Sequence, residues 1–289
     1  MIYNTVLEIY KGNPVDCKMK NDEIYAFFLD IDGTLLCGGK IHEKNITTIK
    51  TVRSLGHKVY INTARGLSIV PENILALEKN GLIDGIVAGI GCTVLLDGEK
   101  VLSEKLPIEE LAEAFDYFTE KKLKFLFEGE SKIICNPYME YGSNFERVES
   151  GKELIEKYSG ETIAKAYIPH ILPPADIAFL EKNFLVFDHR KYVEFSKKGF
   201  TKASGMDYVI KKYGISRSRC VAMGDSVNDT DMLRFAGISV AMGNASPGIK
   251  KLCSFVSTDG AEGGVADAMI RILNSGLTSS AQNEAKKLI

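Results

Sequence analysis

Two carboxylates two residues apart, Asp30 and Asp32, close the apolar run Ala26-Phe27-Phe28-Leu29 and are followed at once by Gly33 and Thr34. Polar groups stand at matching places in three other short stretches. KVYIN runs into Asn62, Thr63 and Arg65, VAMG runs into Asp225 with Asn228 and Asp229 close behind, and Lys202 opens the helical pattern between them. If these strands are neighbours, three carboxylates, a hydroxyl and a lysine converge. Crowded carboxylates repel unless a cation offsets them, and an all-oxygen site with few protein ligands suits Mg2+, which keeps waters and is commonly shared with a phosphate. The residues therefore point to a magnesium-phosphoester site. Asp30 is the candidate nucleophile, because an aspartate can accept a phosphoryl group and split one hard displacement into two steps. Asp32 is near enough to act as general acid toward the departing alkoxide and then as base toward the hydrolytic water. Lys202 and the Thr63 hydroxyl are placed to hold phosphoryl oxygens as charge redistributes.

Such groups need a rigid mount, and the chain supplies one. From residue 24 onward short apolar runs alternate with helical patterns, which predicts parallel strands joined by crossover helices, an α/β core. In a doubly wound sheet ligands bind beyond the carboxyl ends of the strands, where the topology changes direction, and that is where the four polar stretches fall. IYAFFLDI reads as the first strand, with a helix after it from Ile46 to Leu55 closed by Gly56; KVYIN (58–62) is the second strand, and a helix begins at Pro71 and ends by Gly81. Between about 90 and 195 the texture changes to hairpins and short helices: TVLLDGEKVL around Asp97-Gly98, an amphipathic helix IEELAEAFDYFTEKKL, a strand pair around Gly129, and FLVFDH with KYVEFS. This is expected to be a separate α+β insertion, residues 90–195, interrupting a catalytic core made of 23–89 and 196–289. Residues 1–22 form an N-terminal extension whose VLEIY could add an edge strand, and SSAQNEAKKLI reads as a frayed terminal helix.

DIDGT at 30–34, NTAR at 62–65, Lys202 within KKGFTKASG and GDSVNDTDML at 224–233, in that order, resemble the four motifs of the haloacid dehalogenase-like superfamily. The insertion between the second and third motifs resembles the large α/β cap of Cof-type phosphatases, and AMGNA at 241–245 matches that subgroup. The resemblance implies a Rossmann-like doubly wound core and a role for each matching position. Asp30 would be nucleophile and magnesium ligand, and Asp32 the general acid/base, lending its backbone carbonyl to the metal. Asp225 would complete the protein ligands. Thr63, the Ala64 amide and Lys202 would bind phosphate, Asn228 would approach phosphate or metal, and Asp229 would orient Lys202 or a metal-bound water. Arg65 matches its motif without an assigned role. One departure is Ile90-Gly91-Cys92, where Cof-like chains often carry Asn-Gly-Ala, so a substrate contact from that position is not carried over.

Blander readings exist for each group. Asp30 and Asp32 alone could be a capping and turn pair around Gly33, Asp225 and Asp229 could be helix-start charges favoured by the macrodipole, and Lys202 could be one solvated lysine beside Lys197 and Lys198. All four motifs in order outweigh these. AGIGCT (88–93) lacks the G-x-G-x-x-G spacing of a dinucleotide loop and reads as hinge glycines. The composition narrows the partners. A net charge of -2 and a pI near 6.2 lack the basic excess of a nucleic-acid surface. No apolar run reaches the length of a membrane span or a signal peptide, so a cytoplasmic location is expected. The six cysteines have no C-x-x-C pair and read as reduced thiols, and the four histidines lack metal spacing. The sequence thus predicts a Mg2+-dependent phosphatase acting on a small phosphorylated metabolite: a sugar phosphate, a nucleotide or a phosphorylated cofactor. The alternatives are a sugar phosphomutase using the same aspartyl-phosphate and a catalytically silent phospho-ligand-binding regulator.

Overall fold

The computed structural model describes residues 23–140 and 145–276. The expected VLEIY strand, the terminal helix and Cys17 lie outside these residues. The strands in chain order begin with β1 (Ala26–Leu29), β2 (Leu36–Cys37), β3 (Lys40–Ile41), β4 (Lys58–Asn62), β5 (Gly85–Ala88), β6 (Thr93–Leu96) and β7 (Glu99–Ser103). They continue with β8 (Leu126–Gly129), β9 (Ile133–Cys135), β10 (Phe145–Arg147), β11 (Ile163–Ile168), β12 (Phe184–Asp188) and β13 (Val193–Lys197). The last three are β14 (Cys220–Gly224), β15 (Ile238–Ala241) and β16 (Phe255–Val256).

One eight-stranded sheet has the order β16-β15-β14-β1-β4-β5-β6-β7. It is parallel from β16 to β5 and antiparallel for the last two strands. Both faces are covered, which is why the central strands read as unbroken apolar runs. Phe27 and Leu29 of β1 join Val59, Ile61, Val221 and Met223 in one cluster, while Ala26 and Phe28 join Tyr60 and Ala222 in another on the opposite face. From β1 the chain builds outward through β4 and β5 on one side and returns to add β14, β15 and β16 on the other, so the direction of winding switches at β1. That switch opens the crevice in which a ligand can sit.

The second sheet has the order β10-β9-β8-β11-β13-β12, antiparallel except for β10 on β9. Helices Ile108–Glu120, Gly151–Tyr158 and Pro174–Glu181 pack with it around a core of their own that includes Phe115, Phe125, Phe127 and Phe195. In two places the topology departs from the sequence reading. The hairpin around Asp97-Gly98, placed in the insertion, extends the core sheet as β6 and β7, so the second sheet begins only after Ser103. A small hairpin, β2 and β3, also stands between the first motif and the helix Glu43–Ser54. Its strands are too short to show a period of two, and only the turn at Gly38-Gly39, with φ of 57° and 76°, marks it in the sequence. No helix among the described residues is long and apolar enough to cross a membrane.

Candidate active site

The end of β1 sets the position of Asp30. Its backbone N–H still donates to Met223 O of β14 at 3.0 Å, and the chain then turns sharply, with Leu35 and Leu36 N–H bonded back to Ile31 O. Gly33 makes that turn at φ +75°, and a Cβ there would stand 2.4 Å from Asp225 Oδ2. Only glycine allows both the left-handed backbone and the approach of the third motif.

Lys202 reaches the same point from the other half of the chain. Thr201 caps its helix, with Thr201 Oγ1 accepting from Ser204 N–H at 3.2 Å and Ser204 Oγ from Thr201 N–H at 2.9 Å. This capping box fixes Lys202 at the first helical position, and the Asn62 side-chain amide donates to its carbonyl at 3.0 Å. The ammonium, 1% exposed, lies between Asp30 Oδ1 at 2.7 Å and Asp229 Oδ1 at 2.6 Å. The other oxygen of Asp229 accepts from the N–H groups of Asp225 and Ser226, both at 3.0 Å. Asp229 thus ties the lysine to the start of the fourth motif.

Carboxylate oxygens of Asp30, Asp225 and Asp229 lie within 4.8 Å of one another. Burial and the neighbouring Asp229 push the Asp30 carboxyl up to about 7 against the pull of Lys202, and the same two causes push Asp225 up to about 6. The Lys202 ammonium, despite its burial, is held above its ordinary value by Asp229 and Asp30. One lysine therefore pairs with two of three clustered carboxylates, and a hard divalent cation with oxygen ligands fits the surplus.

A cavity of about 510 Å³ opens over this cluster, lined by Asp30, Asp32, Thr63, Ala64, Arg65, Asp225 and Asn228 from the core. Thr63 Oγ1 accepts from Arg65 N–H at 3.1 Å, which leaves its O–H to donate elsewhere, and Asn228 Oδ1 accepts from Ser226 Oγ–H, which leaves its amide N–H groups. Asp32 stands apart from the buried cluster. Its two oxygens accept from Arg65 Nε at 2.7 Å and Nη2 at 2.8 Å. The structure so brings together Asp30, Asp225, Asp229 and Lys202, and sets Asp32, Thr63, Ala64 and Asn228 around one opening. Lys202 itself lies behind Asp30 and is not on the cavity wall.

The sequence named Arg65 without a role and AMGNA only as a subgroup match, and gave no part to Lys165, Tyr192 or Glu194. Arg65 is the partner of Asp32. Asn244, inside AMGNA, donates from Nδ2 to Gly33 O at 2.8 Å and to Asp225 Oδ2 at 3.2 Å, holding two motifs together. From the second sheet, Lys165 and Glu194 line the cavity, with Tyr192 beside them. The available signal was a polar side chain at alternate positions, Lys165 and Tyr167 in KAYI and Glu194 and Ser196 in VEFSK, which places those side chains on one face of each strand.

At the Gly89-Ile90-Gly91 turn Ile90 is buried and takes φ 57°, ψ 38°. A left-handed isoleucine is held only where its surroundings over-determine it. Ile90 N–H donates toward Thr63 O at 3.4 Å, and a Cβ on Gly91 would meet Thr201 O at 2.1 Å. The tripeptide therefore packs between the second and third motifs and fills space with hydrocarbon. Among the described residues the cysteines are unpaired, three of them buried. The histidines are engaged: His42 caps a helix, His57 accepts from Tyr25 N–H, His170 accepts from Lys124 N–H, and His189 bonds Glu194.

A family model described as haloacid dehalogenase-like hydrolase matches residues 27–269. The 5-amino-6-(5-phospho-D-ribitylamino)uracil phosphatase YitU of Bacillus subtilis is 27% identical over 264 residues, covering 84% of this chain and 95% of that protein. The phosphoglycolate phosphatase of Nitrosopumilus maritimus is 26% identical, covering 86% and 95%. Among solved structures, a sugar phosphatase of haloacid dehalogenase subclass IIB superposes with a TM-score of 0.74 at 26% identity, over 86% of this chain and 98% of that one.

Proposed function

The chain belongs to the haloacid dehalogenase-like hydrolase family, in its Cof-type subgroup, and from that membership we propose that it is a Mg2+-dependent phosphatase of a small phosphorylated metabolite. The observation that carries this reading is the convergence of Asp30, Asp225, Asp229 and Lys202 beneath a cavity rimmed by Thr63, Ala64 and Asn228. Phosphatase relatives of similar length, one of them acting on a phosphoribitylamino-uracil, support it.

Asp30 attacks the phosphorus, forming an Asp30 O–P bond as the ester O–P bond breaks, and Asp32 gives its proton to the departing alkoxide. Asp32 then takes a proton from water, whose oxygen attacks the same phosphorus, so that the Asp30 O–P bond breaks and inorganic phosphate leaves. For Asp32 to turn from Arg65 toward the cavity, at least one of its two Arg65 bonds must release. The Thr63 hydroxyl, the Ala64 N–H and the Asn228 amide donate to phosphoryl oxygens, while Lys202 fixes Asp30 and adds positive charge from behind. Asp30, Asp225 and the Asp32 carbonyl would hold Mg2+, which when bound neutralises phosphoryl charge and offsets the crowded carboxylates. The second sheet supplies Lys165, Tyr192 and Glu194 to the wall of the same cavity.

The test is release of inorganic phosphate from p-nitrophenyl phosphate and from a panel of phosphorylated metabolites, with Mg2+ and with excess EDTA. Hydrolysis in Mg2+ that EDTA abolishes is the expected result. Hydrolysis unaffected by EDTA would overturn the metal assignment, and no hydrolysis of any ester would overturn the function.

A further inference from the structure

The wall of the cavity opposite Asp30 is built from one face of the second sheet. Along β8, β11 and β13 side chains alternate between faces. Phe127, Ala166 and Phe195 turn to the helices, while Glu128, Lys165, Glu194 and Ser196 turn the other way. The register pairs Glu128 with Lys165 and Lys165 with Ser196 across neighbouring strands. Lys165, 4% exposed, donates to Glu194 Oε1 at 2.6 Å and lies 3.3 Å from Glu128 Oε1. Glu194 Oε2 meets His189 Nε2 at 3.1 Å, and Glu128 Oε2 accepts Gly66 N–H from the core at 2.8 Å. Every oxygen of both carboxylates thus has a donor. Tyr192, stacked on His189 with ring centroids 4.4 Å apart, extends the wall beside Glu194.

Two carboxylates share one ammonium here, so with all three groups ionised the triad carries a net charge of about -1. Despite burial, which opposes it, Lys165 with His189 holds the Glu194 carboxyl down at about 2, so it stays ionised at any working pH. The positive charge of Lys165 is already committed to Glu128 and Glu194 and is not available to a second anion. What the wall retains is hydrogen-bonding capacity. An ammonium has three N–H groups, of which two point at carboxylates, and each carboxylate oxygen has a further lone pair.

We propose that the Lys165-Glu128-Glu194 triad makes this wall a charge filter that admits an uncharged, hydroxyl-bearing leaving group and rejects one carrying a second negative charge. The inference rests on the phosphatase reading above and adds which half of the ester is recognised and by what. A hydroxyl accepts from Lys165 and donates to Glu194 with no charge to compensate. A carboxylate or second phosphate in its place meets the net negative charge of a triad that is itself almost wholly buried, and like-charge contact of this kind costs several kcal/mol in general. Glu194 and Lys165 are in this sense specificity residues for the leaving group, distinct from the groups that handle the phosphorus.

Matched substrate pairs test this in the full-length enzyme with Mg2+. Glucose 6-phosphate is compared with 6-phosphogluconate, and glycerol 3-phosphate with 3-phosphoglycerate; the members of each pair differ mainly by a carboxylate. The expected kcat/KM ratio favours the neutral member by about tenfold or more in each pair that is turned over. Glu194→Gln, which keeps the shape and removes one charge, brings the ratio toward unity. Lys165→Met raises it, and Glu194→Gln alone decides should that variant fail to fold. Equal rates within pairs, a preference for the charged members, a ratio unmoved by Glu194→Gln, or turnover of p-nitrophenyl phosphate with none of the neutral esters would each overturn the filter while leaving the phosphatase reading intact. Absence of all turnover, p-nitrophenyl phosphate included, would remove both.

Discussion

The two walls of the cavity face the same difficulty, carboxylates kept from water, and resolve it differently. On the core wall one buried lysine serves Asp30 and Asp229, and Asp225 has only a 3.5 Å contact to Thr34 and a 3.2 Å one to Asn244. Burial and mutual repulsion leave Asp30 near 7 and Asp225 near 6. On the other wall the Lys165 triad is complete, each carboxylate oxygen has a donor, and Glu194 sits near 2. The core wall has electrostatic room for an added cation. The opposite wall has none, so it suits recognition rather than reaction.

That contrast can be broken at several points. The largest effect is expected from Asp30→Asn, which lowers Mg2+-dependent hydrolysis of p-nitrophenyl phosphate by on the order of 10³-fold or more. Its circular dichroism stays that of the wild type, and its melting temperature without Mg2+ is equal or higher, because one of three crowded carboxylates is gone. Full activity would sink the nucleophile assignment. Next comes Lys165→Met. It strands Glu128 and Glu194 in a buried site and costs about 3–5 kcal/mol in urea unfolding; a loss below about 1 kcal/mol would show that the second wall is not held by its ion pairs.

A smaller effect separates the two regions by pH. His57, at the far end of β4, accepts Tyr25 N–H at 3.2 Å, and burial together with Arg219 holds its imidazole down at about 4 from 6.5. Above pH 6.5 the ring is neutral in folded and unfolded chains alike. Between 6.5 and 4 only the unfolded chain takes the proton, so this group removes about 2–3 kcal/mol of stability as pH falls. The stability of His57→Gln relative to wild type therefore improves by that amount across this window. Glu194, lowered to about 2 from 4.5, stabilises fully above pH 4.5 and loses its contribution only as pH falls below it. Wild type and Glu194→Gln thus diverge in their pH profiles only in the lower window, and urea titrations at stepped pH check both. The smallest effect is that of Ser68→Ala, which removes the 2.6 Å bond from Ser68 Oγ to Gly129 O between core and second sheet and costs about 1 kcal/mol.

The core wall was legible in the sequence because its parts sit at strand ends, where an apolar run stops at a carboxylate and local pattern coincides with function. The second wall was not. Lys165 and Glu194 lie within strands that read as ordinary half-polar edges, and nothing local says that they meet each other or Glu128. The hairpin of β6 and β7 was found from Asp97-Gly98 but given to the wrong sheet, since a turn signal specifies which two strands pair and says nothing of the sheet they join. The Asp32–Arg65 pair was missed for a similar reason. Both residues belong to recognisable motifs, but the distance between them is set by the parallel pairing of β1 with β4.

The insertion also determines when the reactive centre can exist. Asp30 and Lys202 are 172 residues apart, and β1 pairs with β14 across the whole second sheet, whereas its pairing with β4 closes a much shorter loop. Loop closure grows costlier with length, and pairings distant in sequence form slowly. A chain still emerging from the ribosome carries Asp30, Asp32 and Thr63 for a long stretch of synthesis with neither Lys202 nor Asp225 beside them. The proposed site is therefore assembled late and all together, once translation has passed the fourth motif, and a product that stops within the insertion lacks both Lys202 and Asp225.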